Sequence, residues 1–202
     1  MLFSLIENLD KLKIILASAS PRRYELLKTL GLEFEVIVSN IDEENVRAQS
    51  PAEYVLENAQ LKGQNVARKN PNCLIISADT IVVSDNSIFG KPKNEEEAFK
   101  ILKQLSGKTH QVFTAFGLLY LRYERSLFDT VSTEVTFRAL SDEEIWAYIN
   151  TGEPFDKAGA YAIQGQGALL IEKINGCFYN VVGFPMPRFY KALEEFMRHF
   201  VL

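Results

Sequence analysis

Cysteine and histidine are scarce in this chain, two of each in 202 residues. Cys73 and Cys177 stand far apart and without C-x-x-C spacing, which excludes a disulfide-stapled scaffold and argues against a structural zinc site. Both are read as reduced thiols, and His110 and His199, with no partner at metal-ligand spacing, as structural. There is no Walker A sequence, and "QGQGAL" fails as a dinucleotide fingerprint because no helix is expected after it. No Ser–His–Asp arrangement has supporting context. No apolar run approaches the ~20 residues that a bilayer-crossing helix needs. The opening "MLFSLIENLDKLK" carries acidic residues and lacks the basic start of a secretion signal. Neither sign of charge dominates: Lys and Arg total 22 against 26 Asp and Glu, for a net charge of −4 and a pI of about 5.4. That balance excludes a general nucleic-acid surface and leaves room for a local basic pocket. The expectation is a soluble, cytoplasmic protein with no stable nucleic-acid or membrane partner.

What is present is ordinary globular material, 47% hydrophobic and 24% charged. No repeat, low-complexity linker or clear boundary interrupts it, and the chain is read as a single domain, 1–202. Strand and helix patterns alternate. Ile14, Ile15 and Leu16 read as a short buried strand; Ser20 as N-cap, Pro21 at the first helical position and Gly31 past the end frame the next helix. "FEVIVS" reads as a strand leading into the acidic turn "NIDEEN". Ser50, Pro51 and Glu53 open a long amphipathic helix as a capping box, closed by Asn70–Pro71. "CLIISADTIVVSDNSIFG" is a strand entering a turn at 85–87, and Asn94 caps a helix with three glutamates in its first turn. "HQVFTAFGLLYLRY" and "SLFDTVSTEVTFRAL" form a hairpin. Ser141 and Glu144 make a second capping box on a helix closed by Gly152. "GAYAIQGQGALLIEKINGCFYNVVGF" is read as three strands separated by a glycine turn and an Asn175–Gly176 turn, before a last helix from about Pro187. A hairpin among strand–helix units makes the sheet mixed and the class α/β.

The turn "SASPRR" puts Arg22 and Arg23 in the first turn of a helix, where the macrodipole disfavours a cation by about 0.3–1 kcal/mol. One arginine there simply extends into water. A pair behind a hydroxyl-rich strand-to-helix turn converges with Ser18, Ser20 and free N–H groups on a place suited to phosphate. Asp79 stands in the apolar strand "LIISADTIVVS", where an unpaired charge is expensive. It caps a turn or pairs with a basic neighbour, or else it is held to bind a metal or activate water. Asp42, Glu43 and Glu44 alone are a solvated turn; with Asp79 they offer the second carboxylate that Mg²⁺ takes beside phosphates and water. Lys62, at i+4 from Asn58, belongs to a surface stripe or a polar cluster. Lys91 in "GKP" is a turn lysine or an ammonium aimed by a restricted backbone. The glycines around Gln164 make a tight turn or let backbone approach a ligand whose polar edge Gln164 reads. Together these groups suit metal-assisted attack on a phosphate ester or anhydride.

The segments "SASPRR", "ENAQLK", "SADTIVV", "GKP", "LSGKTHQVFT", "GEPFDKAGAYAIQGQG" and "YNVVGFP" occur in an order, from about residue 13 to 189, that resembles the Maf family of nucleoside triphosphate pyrophosphatases. The resemblance implies an elongated, strongly twisted mixed β-sheet flanked by helices, in two lobes with a cleft, similar in fold to the inosine triphosphate pyrophosphatases. It implies hydrolysis of a nucleoside triphosphate to monophosphate and pyrophosphate with Mg²⁺, Mn²⁺ or Co²⁺, and often a homodimer. Arg22, Thr80 and Gln164 resemble the branch acting on dTTP and UTP; the branch acting on 7-methyl-GTP carries tryptophan, glutamine and glutamate at the matching places. By the same resemblance Asp79 is the proton acceptor, Ser18, Arg23, Glu43, Lys62 and Lys91 are further active-site positions, and Asp79 with Glu43 approaches the metal. Gly63 replaces a common alanine and is expected to loosen its helix by up to about 1 kcal/mol. Two other readings stand beside this one: a house-cleaning pyrophosphatase for purine or modified nucleotides, and a non-catalytic regulator of septum formation.

Overall fold

The computed structural model describes residues 2–41, 48–85 and 87–198; Asp42, Glu43, Glu44 and His199 lie outside the described residues. In chain order the elements are β1 (Ile14–Ala17), α1 (Pro21–Thr29), β2 (Glu35–Val36), α2 (Pro51–Ala67), β3 (Leu74–Ser84), β4 (Ser87–Phe89), α3 (Glu95–Leu105), β5 (Thr109–Tyr120), β6 (Arg125–Phe137), α4 (Asp142–Ile149), β7 (Ile171–Asn175), α5 (Phe178–Val182) and α6 (Met186–Met197). The strands pair as one mixed sheet in the order β2-β1-β3-β5-β6-β7, with β4 paired onto β3. β1 is parallel to β2 and β3; β3–β4 and β6–β7 are antiparallel. Among the described residues no helix is long and apolar enough to cross a membrane.

The chain gathers into two compact units. The first comprises Met1–Asp79, Thr114–Val131 and Gly183–Leu202, the second Thr80–Phe113 and Ser132–Val182. In the first, alternate residues of β1 and β3 serve opposite faces, as the period of two requires. Ile14, Leu16, Leu74 and Ile76 pack with Leu27 of α1 and Phe189, Leu193 and Phe196 of α6. Ile15, Ala17 and Ile75 pack with Val66 and Ala67 of α2 and Leu119 of β5. Here α2 lies very close to the sheet. A Cβ on Gly63 would stand 2.6 Å from Leu119 Cδ1 and 2.8 Å from Ser77 Oγ, and the Ser77 hydroxyl donates to the Ala59 carbonyl at 2.8 Å. Gly63 is therefore the residue that admits this approach, a role its helix-weakening propensity alone does not reveal. The core of the second unit joins Leu102 and Leu105 of α3 to Val112 of β5, Val135 and Phe137 of β6, and Ile145 and Ile149 of α4.

Capping follows the sequence closely. Ser20 Oγ accepts from Arg23 N, and Gly31, with φ of 77°, follows the end of α1. Ser141 and Glu144 form a complete capping box; at α2, Ser50 accepts from Glu53 N, but the Glu53 carboxylate takes Gln49 N instead of closing the box. The expected six-residue strand at "FEVIVS" is only the two-residue β2. The three strands expected after Gly159 reduce to β7 alone. Ala158–Ala160 and Gly165–Leu170 are 3₁₀ turns, because Gly159, Ala160 and Gly165 have φ of 71°, 57° and 67° and break an extended run. "FYNVV" is the short helix α5, whose Asn180 amide is buried and donates to the Val112 carbonyl and Thr133 Oγ1.

Gly159 also donates its N–H to the Gly90 carbonyl at 3.0 Å, and a Cβ there would meet Val82 side-chain atoms at 2.8–3.0 Å. Gly159→Ala is expected to cost about 2–3 kcal/mol, from left-handed strain plus overpacking, measured as a lowered urea midpoint. A pH dependence originates in His110, buried edge-on to Phe137 and Tyr161 with Nε2 sharing a 2.8 Å hydrogen bond with the Tyr161 hydroxyl. Burial lowers its pKa from 6.5 to about 4. The folded state then resists a proton that the unfolded chain accepts, so stability held above pH 6.5 falls as the pH drops toward 4. From pH 7 to 4.5 the His110 contribution is a loss of about 2 kcal/mol, absent in His110→Phe when the two urea series are compared.

Candidate active site

Two pieces of the site are built within the first unit. At the end of β1 the chain turns through Ser18 into α1, with Pro21 at its first position. Ser18 Oγ accepts from Ser20 N at 3.2 Å and from Arg23 Nη1 at 3.0 Å, while Arg23 Nε donates to the Gly183 carbonyl at 3.0 Å. Arg23 is buried and Arg22 half-buried. The guanidinium thus lies folded over the start of α1, the positive end of the helix dipole, bracing the strand end against the segment that leads into α6. It concentrates positive charge and N–H donors at one turn, the chemistry that an oxyanion selects.

The second piece is the answer to Asp79. Lys62 of α2 meets Asp79 Oδ1 at 2.6 Å, with side chains only 13% and 10% exposed. Of the readings open for Asp79, the structure shows the pairing with a basic neighbour, which is Lys62. Ser77 and Asp79, two apart on β3, both turn toward α2, so the low seat that Gly63 permits is what lets the ammonium reach. Ala17 of β1 pairs with Ser77 of β3 in parallel register, which brings Ser18 at the β1 end beside the part of β3 that carries Asp79. Carboxyl ends of parallel strands with a helix start are where α/β proteins collect ligands.

Thr80, Lys91 and Gln164 are carried by the second unit. Thr80 is half-buried; Lys91 and Gln164 are exposed. Lys91 follows Gly90, whose carbonyl is held by Gly159, and Gln164 stands just before the Gly165–Leu170 turn. Glu43 lies outside the described residues. Three participants in these arrangements escaped the sequence. The Gly183 carbonyl has no side chain to announce it. Tyr148 and Glu153 share a 2.9 Å hydrogen bond in the second unit, Glu153 lying inside the "GEPFDKAGAYAIQGQG" segment.

A carboxylate is the donor that a hard divalent cation takes, and Asp79 would supply one, with Oδ1 already accepting from the Lys62 ammonium. Among the described residues no group of three or more His, Cys, Asp or Glu could hold a metal by itself. An ion here would complete its shell from phosphate oxygens and water, as Mg²⁺ commonly does.

The chain matches the family model of Maf-like proteins over residues 13–196. It is 50% identical over 187 residues to a dTTP/UTP pyrophosphatase of Caldicellulosiruptor bescii, covering 91% of this chain and 94% of that protein. A dTTP/UTP pyrophosphatase of Dictyoglomus thermophilum is 50% identical over 186 residues, covering 92% and 96%. Among solved structures, a HAM1 protein from Coxiella burnetii aligns with 62% of this chain and 73% of its own at a TM-score of 0.46 and 19% identity. A family match that runs through nearly all of the chain, with half of the residues shared over nearly the full length of such relatives, settles the family: this chain belongs to the Maf-like proteins.

Proposed function

We propose that this chain hydrolyses dTTP and UTP to the nucleoside monophosphate and pyrophosphate. The observation that carries the reading is the buried Lys62–Asp79 pair on the strand next to the Ser18–Arg23 turn, in a chain half identical to relatives named for that activity. The triphosphate is met by the start of α1 and by Arg22, Arg23 and Lys62 of the first unit. Asp79 accepts a proton from water as its oxygen attacks the α-phosphorus; the bond to the bridging oxygen breaks, and pyrophosphate leaves with the electron pair. Lys62 fixes the direction of the carboxylate and adds positive charge where the phosphoryl oxygens gain negative charge. When bound, a divalent cation at Asp79 and Glu43 supplies Lewis-acid polarisation of the phosphate. Gln164 donates to and accepts from the carbonyl and N–H edge shared by uracil and thymine. The same reading carries a cytoplasmic location and a homodimer.

Purified protein given a panel of nucleoside triphosphates with Mg²⁺, Mn²⁺ or Co²⁺ is expected to release pyrophosphate from UTP and dTTP at least tenfold faster than from ITP. Preference for ITP overturns the substrate assignment. Chelation with EDTA is expected to abolish release and added Mg²⁺ to restore it. Asp79→Asn keeps an oxygen for Lys62 and loses the base, so kcat is expected to fall at least a hundredfold. The circular dichroism spectrum serves as the check that this variant is folded, and a folded variant with undiminished kcat removes Asp79 from the mechanism.

A further inference from the structure

Gln164 is exposed, and its side chain makes no hydrogen bond among the described residues. What fixes its direction is the backbone on either side, and that backbone is held by two side chains. Two residues before Gln164, the Ala162 N–H donates to Tyr148 Oη at 3.2 Å. After it, the Gln166 N–H donates to Glu153 Oε2 and the Gly167 N–H to Glu153 Oε1, each at 3.1 Å. The circuit closes where the Tyr148 hydroxyl donates to Glu153 Oε1 at 2.9 Å. One phenol and one carboxylate therefore clasp three backbone amides that straddle Gln164.

The glycines of the segment are explained by the same clasp. Gly165 has φ of 67°, and a Cβ there would stand 2.7 Å from Glu153 Oε2. A Cβ on Gly167 would stand 2.3 Å from the Ala162 carbonyl oxygen and 2.7 Å from Tyr148 Oη. Both positions need glycine so that the backbone can come down onto the pair. The pair is itself braced. Tyr148 is buried on α4, Glu153 N donates to Thr151 Oγ1 at 3.1 Å, and Lys157 Nζ donates to the Glu153 carbonyl at 3.2 Å. Burial pushes the Tyr148 hydroxyl above its usual pKa, so it keeps the proton it donates to Glu153.

We propose that Tyr148 and Glu153 are a positioning pair that aims Gln164 and thereby sets which pyrimidine base the enzyme accepts. The proposal rests on Gln164 reading the base edge, as in the proposed function. Neither member touches the base; they act through the loop. A carboxylate suits the task because it offers acceptors only, two oxygens for three donors, and an amide in its place would turn an N–H toward a backbone N–H.

The experiment measures kcat and KM for UTP and CTP, whose bases differ in the donor and acceptor pattern at the Watson–Crick edge. It uses the wild type, Tyr148→Phe, Glu153→Gln, Gln164→Ala and the double variant Tyr148→Phe/Gln164→Ala. A staple that served stability alone would lower kcat/KM for both nucleotides by one common factor. The expected result is a drop of at least tenfold in the UTP-to-CTP ratio of kcat/KM in each single variant, mainly through a higher KM for UTP. The double variant is expected to drop no further, since the pair acts through Gln164. Tyr148→Phe keeps the buried ring, so it carries the test if Glu153→Gln does not fold. Faster amide exchange at Ala162, Gln166 and Gly167 in folded Tyr148→Phe supports the clasp; unchanged exchange overturns it. A ratio that moves in Gln164→Ala and stays in the Tyr148 and Glu153 variants overturns the positioning role while leaving the reading of Gln164 intact. A ratio unmoved in all the variants overturns both.

Discussion

A carboxylate set in the middle of an apolar strand must be answered, and Lys62 is the answer on which the first unit depends. The pair is nearly dry, with its closest atoms 2.6 Å apart. Removing one member of such a pair strands a charge at a cost of roughly 3–5 kcal/mol, so the geometry around it is constrained. That constraint explains residues that otherwise look unrelated. Gly63 has no side chain, and Ser77 is small and spends its hydroxyl on the Ala59 carbonyl. These two residues let the helix settle onto the strands far enough for one ammonium to reach one carboxylate. The Ser18–Arg23 turn then sits on the adjacent parallel strand, where the register of Ala17 with Ser77 puts it.

The second unit solves a different problem, holding exposed polar groups in place without burying them. Gln164 and Lys91 both stand in solvent, and each follows or precedes backbone that is tied down. Gly90 is secured by Gly159, and the Gln164 loop by Tyr148 and Glu153. In the same unit the Phe137, Tyr161 and His110 rings meet edge-to-face at centroid separations of 4.7–5.3 Å, a geometry that aromatic pairs favour.

How much of this could be read in the sequence follows from the range over which each interaction acts. Ser20, Pro21 and Gly31 framed α1 correctly because capping is local. Asp79 stood out because burial of a charge has a cost that any strand must meet. Its pairing with Lys62 is not legible: Lys62 is 17 residues away, and a surface stripe gives the same pattern until the seat of α2 is known. The close approach at Gly63 is hidden for the same reason: helix propensity is local, while its contact is with another element. The alternation of apolar and polar residues after Gly159 reads as strands. The left-handed residues at 159, 160 and 165 and the buried bonds of Asn180 override that alternation. The contacts of Glu153 have no local signal, since its targets are main-chain amides 13 and 14 residues on, and backbone has no letter in the sequence.

The interleaving of the two units has a consequence for anyone who would take the protein apart. The polypeptide leaves one unit for the other four times, after Asp79, Phe113, Val131 and Val182. Neither unit corresponds to a continuous gene fragment, so neither can be cloned, swapped or fused as a cassette. The first of these passages runs through the peptide bond joining Asp79 to Thr80, inside the uninterrupted strand β3. A chimera that exchanges the second unit for that of a relative must therefore splice within β3, β5 and β6, with the pleat of each splice kept in phase, and once more just after α5.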